Sequence, residues 1–388
     1  MAHFSLTQLI AQEVNTTGGW LPFDRFMHLA LYAPGLGYYA HDSAKFGVLP
    51  QSGSDFVTAP ELSPLFGRAL AVQVAQSLWS TGTDTVWEFG AGSGALAEQL
   101  INALDAQGTA LSRYTIVDVS GALRARQQQR LAHFGDRVQW ADRLPDALRG
   151  VVVGNEVLDA MPVKLLARSK GEWFERGVKT SERFGLLAQS AQAHEAINHE
   201  AKNRVEAVFE WSDRPTPLRP PIDVPGAHDV VTEIHPQQTA FISTLAQALG
   251  RGGTGAAFLI DYGFPEAEYW LPERTQGTLV CHQAHRMDDN PLVSVGDKDI
   301  TAHVDFTGVA LAAQNAGLDV LGYTSQGRFL INCGMAQMME AADLPMRANA
   351  MKLLAEHEMG ELFKVIGLAT PGHAPALGFA AGDRTHRL

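Results

Sequence analysis

Apolar positions change their period several times along this chain, and those changes mark out its elements. Between Ser5 and Val14 they fall at Leu6, Leu9, Ile10 and Val14, a helical spacing. A second helix is predicted from Pro22, a residue suited to a first turn, with Phe23, Phe26, Met27 and Leu31 on its apolar face. The stretch APGLGYYAHDSAKFGVLPQSGSDF then breaks all periodicity. It is too long and too aromatic for a linker and reads as an ordered loop over a site. Ser63 to Trp79 is helical again.

From Thr85 onward short apolar runs alternate with helical ones. Thr85 to Phe89 is a strand that enters Gly90, Gly92 and Gly94 and then a helix. Tyr114 to Val119, Val138 to Trp140, Val151 to Gly154 and Ala256 to Asp261 are further strands, separated by helices such as Leu123 to Phe134 and Gln237 to Leu249. This alternation predicts a doubly wound parallel sheet. About 100 residues separate the fourth strand from the fifth, where a crossover needs roughly a dozen. Pro162 to Pro225 is therefore expected to be an inserted subdomain, with strands near Trp173 to Val178 and Arg183 to Ala188. Past the fifth strand the pattern predicts a helix over Asp305 to Ala316 and an antiparallel pair, Val320 to Tyr323 with Phe329 to Cys333.

The expected fold class is thus α/β, a Rossmann-like sheet with a helical N-terminal region and an inserted α+β substrate subdomain. The boundaries read as 1–80 for the N-terminal region and its covering loop, 81–162 for the first half of the core, 163–230 for the insertion and 231–388 for the remainder.

Composition narrows the partners. Thirty basic against 42 acidic side chains give a net charge of −12, with no basic block. That argues against nucleic acid or an anionic membrane and is compatible with a basic peptide. Cys281 and Cys333 lie far apart with no CxxC, so neither a disulfide framework nor a structural zinc site is expected. With no run of eighteen apolar residues and no signal-peptide pattern, the expectation is a soluble cytoplasmic protein.

The chemistry concentrates at Trp87 to Leu100, WEFGAGSGALAEQL. Glycines at this alternation let a ligand approach main-chain N–H groups. A dinucleotide loop tolerates Ala95 at its third glycine position, so the spacing alone does not decide between ligands. Glu88 does: a carboxylate beside the loop repels a pyrophosphate and attracts a sulfonium or an amino group. The E-x-G-x-G-x-G form fits S-adenosylmethionine better than NAD, although an NAD-type oxidoreductase is an alternative. Asp118 closes the next strand, where a carboxylate can accept both ribose hydroxyls. The bland reading is a solvated strand-end acid or a helix cap. Asp142 ends the third strand and is placed either to take an adenine amino group or to start a helix.

Asn155, Glu156 and Asp159 follow the fourth strand, beside the reactive end of the ligand. Carboxylates there would grip an arginine guanidinium as bidentate partners, whereas Asn155 would matter more for an amide acceptor. A helix cap with acids near its dipole is the alternative for Asp159. Asp261 and Tyr262 end the fifth strand and either touch substrate or, for Asp261, cap the turn that follows. Cys281, His282 and His285, with His303 further on, lack a clear fourth ligand and regular spacing, so no metal is expected.

These strings carry a resemblance. ALYAPGLGYYA, DFVTAPELSPLFG, EFGAGSG, GNEVLDAMPV, LIDYGF, DITAHVDF, QGRFLINCG and MGELFKVI together resemble the MidA-type proteins, relatives of mitochondrial complex I assembly factor 7. The resemblance spans nearly the whole chain and implies a class I S-adenosylmethionine-dependent methyltransferase acting on a protein arginine; the mitochondrial relatives are understood to methylate a subunit of respiratory NADH dehydrogenase, and the acceptor of this chain does not follow from the resemblance. It implies that Glu88, Gly90, Gly92 and Gly94 bind cofactor, that Thr58, Pro60 and Glu61 lie in a segment closing over it, and that Asn155, Glu156 and Asp159 face the acceptor. The relatives usually carry Gly-Asp-Phe where this chain has Ser54-Asp55-Phe56. A catalytically idle assembly factor that binds cofactor and a partner protein is the alternative, and a homodimer is compatible with the sequence.

Overall fold

The computed structural model describes residues 5–40, 58–118, 120–181, 208–222, 224, 226, 228–283 and 286–388. Contacts divide the chain into two compact units, one of residues 1–43, 160–237 and 270–302, the other of 44–159, 238–269 and 303–388. This division differs from the boundaries drawn from sequence. The helices within residues 1–43 group with the inserted segment, and a second excursion, 270–302, groups with them too.

In chain order the strands are β1 (Leu21–Pro22), β2 (Thr85–Phe89), β3 (Arg113–Val117), β4 (Val138–Ala141) and β5 (Gly150–Asn155). Next come β6 (Lys164–Ser169), β7 (Glu172–Thr180), β8 (Phe209–Pro215), β9 (Val230–Ile234) and β10 (Gly255–Phe264). The last are β11 (Val280–Gln283), β12 (Arg286–Asp288), β13 (Asp299–Thr301), β14 (Val304–Asp305), β15 (Asp319–Ser325) and β16 (Phe363–Ala369). The N-terminal helices are α1 (Leu6–Thr16), α2 (Phe23–Tyr32), α3 (Ala59–Leu62) and α4 (Pro64–Thr81), followed by α5 (Ala95–Ala106) and α6 (Gly121–Leu131).

The larger unit is built on the sheet β15-β16-β10-β5-β2-β3-β4, with β14 beside the end of β10. Strands β4, β3, β2, β5 and β10 run parallel, and β16 lies antiparallel between β10 and β15. Every residue of β5 is buried, Val151, Val152 and Val153 completely, as expected of a central strand covered on both faces. Helices α4 and α5 bury Phe66, Leu70, Val74, Leu100, Ile101 and Leu104 in the same core as Val86, Val153 and Phe258. From β2 the chain winds to β3 and β4 on one side, and from β5 to β10 on the other. Ligand crevices of such sheets open at this reversal, outside the carboxyl ends of β2 and β5.

The smaller unit holds a five-stranded antiparallel sheet, β1-β7-β6-β9 with β8 on β7, and a three-stranded one, β12-β11-β13. Helices α1 and α2 pack there through Ile10, Val14, Phe23, Phe26 and Met27. The predicted strand near Trp173 to Val178 is part of β7. The strand expected at Arg183 to Ala188 lies outside the described residues. Tyr38, from the loop expected to cover a site, is buried in this unit's core, and the hydroxyl of Tyr39 donates to Asp299 at 2.8 Å. Residues 41–56 of that loop are also outside the described residues.

One predicted pairing is corrected. Val320 to Tyr323 pairs with β16, while Phe329 to Cys333 falls on the helix Gln326–Asn332 and its cap. The inward residues Gln326, Phe329 and Leu330 are spaced helically, and Ile331 between them and Cys333 is exposed. A short apolar run does not by itself distinguish the two periods.

Candidate functional site

The site lies in the larger unit, where β2 and β5 leave the sheet side by side, with Phe89 opposite Gly154. After β2 the backbone takes left-handed conformations at Gly90 (φ 63°), Gly92 (φ 52°) and Gly94 (φ 83°) before α5 begins. A Cβ at Gly90 would come within 3.0 Å of Val157 Cγ2, so glycine lets this turn pass against the segment after β5. The turn runs directly into the N-terminus of α5, the end of a helix whose first N–H groups have no intrahelical acceptor; that of Ala95 is taken by Ser93 Oγ at 3.3 Å.

Side chains pin the turn from both sides. Ser93 Oγ donates to the Glu61 carboxylate and accepts from Arg130 Nη1 at 2.9 Å and from the Ala95 N–H at 3.3 Å. Thr58 is the N-cap residue of α3, and the Pro60 carbonyl accepts from Gln99 Nε2 at 2.7 Å. Thr58, Pro60 and Glu61 thus belong to a short helix tied to the glycine turn and to α5.

Glu88 is 2% exposed and accepts from the Tyr114 hydroxyl at 2.7 Å. Burial pushes its carboxyl up to about 8, with nearby Asp118 adding to the rise against the pull of the Tyr114 bond. Near neutral pH the protonated form dominates. The side chain lies inside the core beside the turn, bonded to Tyr114, where burial favours its neutral form.

Asp118 sits just past β3. Its Oδ1 accepts from the Ser120 N–H at 2.8 Å and its Oδ2 from Gln127 Nε2 at 2.9 Å. Burial raises this carboxyl, and those two bonds pull it back. Asp142 follows Ala141, whose carbonyl accepts the Asp118 N–H at 3.2 Å, and is itself exposed and paired with Arg124.

At the end of β5, Asn155 Nδ2 donates to Glu156 Oε1 at 2.8 Å, while Asn155 Oδ1 is buried with no hydrogen-bond partner among the described residues. Glu156 has φ 54°, a left-handed conformation that costs a non-glycine residue about 1 kcal/mol or more. The turn is held from β10. The Ile260 carbonyl accepts the Glu156 N–H at 2.9 Å, and Asp261 Oδ2 accepts the N–H groups of Val157, Leu158 and Asp159 at 3.1, 2.9 and 3.3 Å. Asp261 Oδ1 takes the Tyr262 N–H at 2.9 Å. Burial and the adjoining carboxylates of Asp159 and Glu156 push the Asp261 carboxyl well above the ordinary range, against the pull of its N–H donors. The turn that Asp261 caps is the one after β5 and not, as expected from sequence, the one following it, since β10 continues to Phe264. Asp159 is 5% exposed. Tyr262 and Phe264 pack on the His303 ring, 5.1 Å between centroids in each case.

Cys281 is buried in β11 with its thiol pushed up to about 12 by burial, and His282 follows it, while His285 lies outside the described residues. His303 belongs to the other unit. Among the described residues no group of three His, Cys, Asp or Glu side chains is placed to hold a metal ion.

Residues 69–324 match the family described as "Putative S-adenosyl-L-methionine-dependent methyltransferase", about two thirds of the chain. The chain belongs to that family. A Burkholderia thailandensis protein crystallised with S-adenosyl-homocysteine is 45% identical and superposes with a TM-score of 0.87, covering 99% of this chain and 96% of that one. Among curated proteins, the mitochondrial protein arginine methyltransferase NDUFAF7 homolog of Drosophila melanogaster is 28% identical over 84% of this chain and 74% of its own length. Human NDUFAF7, also named a mitochondrial protein arginine methyltransferase, is 25% identical over 83% of this chain and 72% of its own. The fold is that of a class I methyltransferase, and the cofactor is S-adenosylmethionine. The residues present fit it: a turn with glycines at positions 90, 92 and 94 running into the N-terminus of α5, and a buried carboxylate after β3.

Sequence reasoning missed Gln127, which is fully buried and joins Asp118 to the glycine turn. A signal was present. Leu123, Gln127 and Leu131 are spaced by four, so Gln127 shares the inward face of α6 while Gln128 and Gln129 are exposed. Ser93 and Arg130 were also missed, since polar residues in a glycine loop and on a polar helix carry no periodic mark.

Proposed function

We propose that this methyltransferase acts on the guanidinium of an arginine in a protein, held by Glu156 and Asp159, with Asp118 receiving the cofactor's ribose. The observation that carries the proposal is Glu156 itself, an acid kept in a left-handed backbone conformation and braced by Asn155 at the strand end adjoining the glycine turn. Strain of this kind persists where the surroundings hold it and concentrates at functional sites. The names of the NDUFAF7 relatives support the choice of arginine.

Bound S-adenosylmethionine supplies a methyl group activated by its sulfonium. The chain's own residues position the acceptor. A carboxylate pair can hold two N–H groups of a planar guanidinium and draw its positive charge away from the third nitrogen, which then keeps a usable lone pair. Such orientation and charge placement account for most of what an enzyme contributes to a direct transfer. The free Asn155 Oδ1 supplies a further acceptor for an N–H donor. The acceptor we put first is a subunit of respiratory NADH dehydrogenase.

The test is incubation of such subunits with the full chain and labelled S-adenosylmethionine, followed by peptide mass spectrometry. Label on arginine supports the proposal, and Arg→Lys at the labelled position should abolish it. Label confined to lysine, glutamine or a small molecule would remove arginine as the acceptor.

A further inference from the structure

We propose that Gln127 is a positioning residue for cofactor binding, acting through Asp118 to present a fixed carboxylate to the ribose hydroxyls; this rests on the reading of Asp118 given above.

Gln127 is completely buried in a polar setting that uses its amide from both ends. Its Nε2 donates to Asp118 Oδ2 at 2.9 Å and to the Gly92 carbonyl at 3.0 Å, and its Oε1 accepts from Trp140 Nε1 at 3.0 Å. The amide can sit only one way round. Turned over, Oε1 would face a carboxylate and a carbonyl, and the NH2 group would face the indole N–H. The backbone of α6 also passes close to the glycine turn, with Gln127 Cα 3.6 Å from where a Cβ on Gly94 would stand. One side chain therefore ties together β4, the end of β3, the glycine turn and α6.

The consequence falls on Asp118. With Oδ1 held by the Ser120 N–H and Oδ2 by Gln127, the plane of the carboxylate is set, and each oxygen keeps a lone pair for a further donor. A vicinal diol needs both oxygens presented together, so losing either tether lets the carboxylate rotate. Removing Gln127 also leaves the buried Asp118 charge with one fewer donor, which favours its protonated form. Trp140, by contrast, donates only to Oε1. An acid at position 127 keeps that bond and loses the other two.

The experiment is calorimetric titration of the full chain, Gln127→Glu and Gln127→Leu with S-adenosylhomocysteine and with its 2′-deoxyribose analogue, with thermal unfolding to establish that each variant is folded. The wild type should prefer the ribose ligand by about tenfold or more, and both variants should lose most of that preference through weaker binding of the ribose ligand alone. For Gln127→Glu, which sets two carboxyls face to face, the loss should be greatest near pH 8 and shrink toward about pH 5, as a shared proton restores a donor. Gln127→Leu should show no such recovery. Variants that keep the wild-type preference, or that weaken both ligands equally, would overturn the proposal. A wild type that does not distinguish the two ligands would instead remove Asp118 as the ribose acceptor, and the role of Gln127 with it.

Discussion

The two sides of the crevice are built differently. On the β2–β3 side each buried polar group just described has a protein partner: Glu88 with Tyr114, Asp118 with Ser120 and Gln127, Gln127 with Gly92 and Trp140. On the β5–β10 side, a backbone turn carries a left-handed Glu156, a buried Asn155 oxygen has no hydrogen-bond partner among the described residues, and carboxylates crowd Asp261. The first side is complete without a ligand. The second holds a left-handed non-glycine residue and an unused acceptor, the latter of which an N–H donor would satisfy. A cofactor common to many methyltransferases suits a preformed surface, while an acceptor that differs between them suits a turn whose groups wait for it.

The contrast can be broken from either side. The largest effect is expected at Asp261, whose replacement by Ala strips acceptors from four N–H groups at once. Unfolding should cost about 3 kcal/mol less, or a larger deficit, with methyl transfer lost, and Asp261→Asn should recover part of both. Denaturant unfolding checks this, and a wild-type midpoint in Asp261→Ala would show that the turn needs no bracket from β10.

A smaller effect, of opposite sign, is expected at Glu88. Its folded carboxyl is raised, so the native state prefers the proton, and the wild type loses stability as pH climbs from the ordinary glutamate range to about 8. Glu88→Gln removes that loss. The variant's advantage in unfolding midpoint should grow between about pH 5 and pH 8 and then level off, on the order of a few kcal/mol at most. Its affinity for S-adenosylhomocysteine should stay within about threefold of wild type, because the neutral form already prevails. A collapse in that affinity would restore the charged role that sequence suggested.

The third variant sharpens the acceptor side alone. Glu156→Gln should leave cofactor affinity within a few fold and lower methyl transfer about tenfold or more, a transition-state loss of at least about 1.4 kcal/mol. Equal turnover would take Glu156 out of the site.

The glycine turn, the strand-end acids and the parallel core were legible because each is local: a buried run of one period, then glycines, then a helix. What escaped was non-local. Phe363–Ala369 pairs with both β10 and β15 across long stretches of chain, and nothing in its neighbourhood announces either partner. The grouping of residues 1–43 with 160–237 and 270–302 is likewise a matter of tertiary contact. Glu88 shows a third kind of gap. Its identity was readable, but its protonation depends on burial and on Tyr114, a residue 26 positions away.

A crystal structure of the full chain with S-adenosylhomocysteine tests the division of the crevice most directly. The account predicts ribose hydroxyls on Asp118, with Gln127 unmoved, and the homocysteine sulfur directed toward Asn155 and Glu156. An adenosine bound away from Asp118, or a sulfur pointing away from the β5 turn, would contradict it.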